Sequence, residues 1–115
     1  MENSIKKSVA ILLAYIIKVD NRDVEKETSL FCSIMGQEFS CSQNEALRFL
    51  KDALENNYDL YEHIDIINQA LKNNKIAKMH LLEQLNHMIY SDKISQEDYK
   101  IFEKIKKRLF PDINI

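Results

Sequence analysis

Glycine and proline occur once each in this 115-residue chain, and that scarcity excludes most architectures that depend on tight backbone punctuation. Hairpins, glycine-rich phosphate loops and Rossmann crossovers require residues that adopt positive φ or fix it, and Gly36 and Pro111 alone do not supply them. A basic excess is missing too. Sixteen Lys and Arg stand against eighteen Asp and Glu, for a formal net charge of −2, so there is no positive field to hold a phosphate backbone by counterion release. Nucleic acid is not an expected partner.

Long apolar runs are also lacking. The longest, Val9 to Ile17 between Lys7 and Lys18, falls far short of the roughly 20 residues that span a bilayer. It reads as a core helix, and no membrane insertion is expected. Lys6 and Lys7 precede the run as they would in a signal peptide, but no small-residue cleavage site follows and the run leads directly into an acidic corner. The expected location is cytoplasmic. Two cysteines, Cys32 and Cys41, lie nine residues apart without CxxC spacing, whereas a small secreted domain usually carries a framework of bridges. They read as reduced packing residues, with one disulfide as the alternative.

What is present is helical: Leu, Ile, Lys, Glu and Asn dominate, in apolar stripes of helical period. Ser4 caps a first helix over 5–19, with Ile5, Val9, Leu12, Leu13, Ile16 and Ile17 giving it the wide inward face of a central helix. Asp23 caps a second, carrying Val24, Leu30, Phe31, Ile34 and Met35 until Gly36 loosens its end. Ser42 and Glu45 form a capping box for a third, with Leu47, Leu50, Ala53 and Leu54 inward and Asn56 and Asn57 at its close. Asp59 and Glu62 open a fourth, through Leu60, Ile64, Ile67, Ala70 and Leu71 to Asn73 and Asn74. A fifth covers 76–90. Ser95 with Asp98 opens a sixth through Tyr99, Phe102, Ile105 and Leu109, which Pro111 terminates. At this length, with short polar turns and no linker, residues 1–115 form a single all-α domain.

A pattern recurs near both ends. Leu13, Ile16 and Ile17 precede Asp20 by seven, four and three residues, then come Val24 and Glu27; Leu85, Met88 and Ile89 precede Asp92 at the same spacing, then come Ile94 and Glu97. Each copy reads as helix, acidic corner, helix. Duplication accounts for this, as does the general similarity of amphipathic helices, since the distance from aspartate to glutamate is seven in one copy and five in the other. Clustered carboxylates at a bend are oxygen donors of the kind that hard divalent cations take. An EF-hand is excluded, because neither corner has its central glycine or twelve-residue loop. Helix capping and the macrodipole account for Asp23, Glu25 and Asp98. Asp20 and Asp92 instead follow helix C-termini, where an acid is disfavoured unless a cation or a capping role toward the next helix compensates.

This pattern of apolar helix, aspartate, Val or Ile, and glutamate, once near each end of an all-helical domain, resembles the TerB-like family, the tellurite-resistance B fold also similar to the N-terminal region of DjlA-type co-chaperones. The likeness runs from about Ser8 to Leu109, with Asn21 and Lys93 where the family usually has glycine. It implies a compact single-domain bundle of about six to seven mostly antiparallel helices. It further implies a non-enzymatic stress-response role linked to tellurite resistance and an acidic cluster proposed to bind metal. Carried onto this chain, the cluster is Asp20, Glu27, Asp92 and Glu97, with Asp23 and Glu25 as secondary candidates and Ca, Mg, Mn or Zn as the cation.

His80, Glu83 and His87 share a face of the fifth helix at i, i+3 and i+7. They offer a second candidate metal patch, but two turns, roughly 10 Å, separate the imidazoles; the alternative is a Glu83 to His87 surface pair. His63 has no sequence relation to Cys32 or Cys41 of the kind a nucleophilic site requires, so no enzyme is expected. Phe49, Tyr58 and Tyr61 gather at one turn as an aromatic plug or, if exposed together, a protein-binding patch. The leading expectation is a binding or adaptor domain with a protein partner. A structural interaction domain, a homodimer or part of a larger assembly without metal, is second, and a metal-assisted hydrolase is third.

Overall fold

The computed structural model describes residues 2–19, 24–90 and 96–110. Among them are six helices and no strand: α1 Glu2–Val19, α2 Val24–Phe39, α3 Gln43–Glu55, α4 Leu60–Ala70, α5 Lys75–Tyr90 and α6 Gln96–Leu109. The chain is an all-α bundle, as its composition requires. Its organising element is α1, which touches each of the other five helices. The sequence explains this directly, since every residue from Ser8 to Ile17 except Tyr15 is buried, and a helix apolar on nearly all sides is stable only when surrounded. Phe31, Ile34 and Met35 of α2, Leu50 of α3, Ile64 and Ile67 of α4, Leu85 and Met88 of α5 and Ile105 of α6 close around it.

The ends of the helices follow side-chain chemistry. Ser42 caps α3 by accepting a 3.1 Å hydrogen bond from the Glu45 N–H, and Asp59 caps α4 by accepting one of 3.0 Å from the Tyr61 N–H. At the far end of α3, Asn56 donates its side-chain amide back to the Asp52 carbonyl at 2.9 Å. Lys78 of α5 donates to the Leu109 carbonyl at 3.0 Å, placing a cation at the negative end of the α6 dipole. Arg108 lies over the Tyr61 ring, 4.9 Å from its centroid, and pins α6 to α4 through Asp65 at 3.4 Å.

Several sequence expectations are corrected. Gly36 does not loosen α2; the helix continues to Phe39, and Ser40 takes the left-handed turn at φ 55°, its N–H donating to the Gly36 carbonyl at 3.0 Å. Helix α4 stops at Ala70 rather than near Asn73, and Asn74 starts the next helix instead of ending this one: its side-chain oxygen accepts from the Ala77 N–H at 3.0 Å. Leu47, expected inward, is exposed, and its neighbour Ala46 is buried instead; Tyr99 is exposed, and Ile101, two residues on, holds the buried place. Cys32 and Cys41 are not joined by a disulfide, and both are partly buried.

Candidate functional site

The two apolar stripes of the recurring pattern reach the same core: Leu13, Ile16 and Ile17 on α1 and Leu85, Met88 and Ile89 on α5 are all buried. The acids divide differently from their sequence reading. Glu27, in the first turn of α2, is 2% exposed, and Asp98, in the first turn of α6, is fully buried. Glu97, which the spacing had matched to Glu27, points to solvent and lies 3.8 Å from Lys100, its side chain 59% exposed. Burying a carboxylate is costly, and a helix N-terminus, with unsatisfied N–H groups and the positive end of the dipole, is where that cost is smallest. Glu25 is exposed. Asp20, Asp23 and Asp92 lie outside the described residues. Among the described residues, no three His, Cys, Asp or Glu side chains gather as a metal ion would require.

His80 does not join His87. Its Nε2 pairs with Glu38 of α2 and its Nδ1 faces Glu83 at 3.8 Å, while Gln84 donates to the same Glu38 oxygen at 3.1 Å. Glu38, held by His80 and Gln84, therefore ties α2 to α5, and His87 is exposed two turns beyond His80. The sequence could not supply Glu38, which comes from another helix.

A third cluster was not anticipated. Ser8 Oγ and His63 Nδ1 are 2.9 Å apart and buried, joining α1 to α4. The Tyr58 ring meets His63 edge-on at 5.4 Å and 88°; its hydroxyl donates to Asp52 at 2.7 Å, and the Lys7 ammonium sits 5.1 Å from its ring centroid. Burial pushes the His63 pKa down, with Lys7 adding to the effect and Glu62 and Asp59 opposing it. The hydrogen bond to Asp52, aided by burial, pushes the Tyr58 pKa up. A hydroxyl on an imidazole is the first half of a nucleophilic site, but Ser8 has no exposed surface, and three surface cavities of about 480, 190 and 110 Å³ are lined by neither Ser8 nor His63. A neutral imidazole with one polar partner inside an apolar bundle is the arrangement of an interior anchor.

The aromatic turn divides. Phe49 and Tyr58 pack against the core, whereas Tyr61 is 38% exposed with Arg108 over its ring. Large apolar side chains lie exposed elsewhere: Ile76 and Met79 at the start of α5, Tyr90 at its end and Tyr99 on α6. For those on α5 the sequence signal was a helix apolar on more than one face. No helix of the described residues is long and apolar enough to cross a membrane. No family model, curated protein or solved structure matches the chain.

Proposed function

We propose that this chain is a TerB-like binding or adaptor domain, non-enzymatic, acting in a stress response linked to tellurite resistance, and that its two acidic corners jointly hold a divalent cation. The observation that carries the reading is the burial of Glu27 and Asp98 at nearly equivalent places, each in the first turn after a corner whose preceding helix contributes a buried stripe of identical spacing. With Asp98 rather than Glu97 as the inward acid, the aspartate-to-acid distance becomes seven in one unit and six in the other, which brings the repeat closer to register. Glu38, on the last turn of α2, contacts His80 and Gln84 in α5, so the helix that follows the first corner packs against the helix that precedes the second. The proposed ligand set is Asp20, Glu27 and Asp92 with Asp98 in the place of Glu97, a hard oxygen site suited to Ca²⁺, Mg²⁺ or Mn²⁺ more than to Zn²⁺.

The test is thermal melting with each cation in turn. A bound cation stabilises the folded state by about 2.7 kcal/mol at a hundredfold excess over its dissociation constant. Asp20→Asn with Asp92→Asn removes that response, and Glu97→Gln keeps it. Identical melting curves with and without every cation would leave an adaptor without metal.

A further inference from the structure

The outer face of α5 has a row that is complementary to itself. Lys75, Met79 and Glu83 stand at i, i+4 and i+8 on that helix, one above another along a ridge with about 6 Å between successive residues. All three are exposed, Met79 at 50% and the Glu83 side chain at 73%. Ile76 stands beside the row at 83% exposure, a value unusual for an isoleucine on a folded helix. Read toward the C-terminus the row is cationic, apolar, anionic; read backward it is its own complement.

We infer that α5 is the interface of a homodimer in which two copies of this helix lie antiparallel about a two-fold axis through Met79. The axis sets Met79 on its partner's Met79, Lys75 against the partner's Glu83 and Glu83 against the partner's Lys75, with Ile76 of each copy covering the methionine pair. The charges select this occupant. A parallel copy would set lysine on lysine and glutamate on glutamate, and a two-fold interface must by its symmetry match the same patch on both subunits. A single helix ridge of this kind is smaller than the roughly 1,600 Å² of a standard interface, so the association is weak and reversible. It uses none of the acids at the corners, so chelating divalent cations leaves it unchanged, and its failure and that of the cation site are separately visible.

Sedimentation equilibrium of the full chain tests it. The expected result is a reversible monomer–dimer equilibrium in EDTA, weakened about tenfold or more by Met79→Asp. Lys75→Glu and Glu83→Lys each weaken it, and the double variant K75E/E83K, which restores opposite charges in reversed order, recovers the dimer. All three positions are on the surface, and an unchanged helical circular dichroism spectrum confirms folding; Ile76→Lys is a further variant expected to weaken association. A chain that stays monomeric at about 1 mM, a dimer indifferent to Met79→Asp, or a charge swap that fails to restore association would each overturn the proposal.

Discussion

Ser40 has the left-handed conformation that closes α2, at φ 55°, four residues beyond the only glycine in the chain. A side chain in that region costs about 1 kcal/mol or more, while Gly36 inside a helix costs about 0.5–1 kcal/mol relative to alanine. A β-carbon at Gly36 would meet the Cys41 carbonyl at an ordinary 3.5 Å. Ser40→Gly and Gly36→Ala are therefore each expected to raise stability by about 0.5–1 kcal/mol, measured as urea midpoints. His63 supplies a second residue-scale prediction. Its folded-state pKa is lowered, so the unfolded chain binds the extra proton first. The stabilisation is complete above the unfolded value of about 6.5 and declines as pH falls through it toward the folded value. The urea midpoint should drop between about pH 7.5 and 5, and His63→Gln should flatten the drop. Ser8→Ala, which leaves the buried Nδ1 without its hydroxyl, should cost about 1–3 kcal/mol.

Among the elements, caps with a local signature were legible and long-range choices were not. The box at Ser42 and the cap at Asp59 could be read because donor and acceptor lie within a few residues of each other. Asn74 was misassigned, since asparagine serves equally to end one helix and begin the next, and only the Ala77 N–H resolves which. The same limit separates Glu27 from Glu97. Both sit in a first turn, but which acid of α6 turns inward is decided by the helix's rotation against its neighbours, and that favoured Asp98. Ser8 and His63, fifty-five residues apart, left no trace in spacing. At this scale Ser42→Ala and Asn74→Ala should each cost about 1 kcal/mol, read by thermal or urea unfolding and by faster amide exchange in the first turns of α3 and α5.

For the whole molecule, the all-α class and the central place of α1 followed from composition and from one apolar run. The pairing of helices depends on contacts between distant segments, which one sequence does not display. Because α1 meets five helices, Leu12→Ala or Ile16→Ala should cost about 2–5 kcal/mol, whereas Leu47→Ala, at a half-open position, should fall within about 0.5 kcal/mol. Chemical denaturation of the three variants would separate core from surface.

The helix that all the others surround is also the one that precedes them in the chain. During synthesis its greasy flanks emerge before any of their covers exist, and the final cover, α6, arrives some eighty residues later. Successive stretches therefore have little native structure to settle into as they leave the ribosome, and folding of the bundle is postponed until α6 has emerged. Through that interval the nascent chain displays a sticky segment that chaperones would recognise, and a version cut short before α6 would be expected to aggregate rather than persist as a smaller fold.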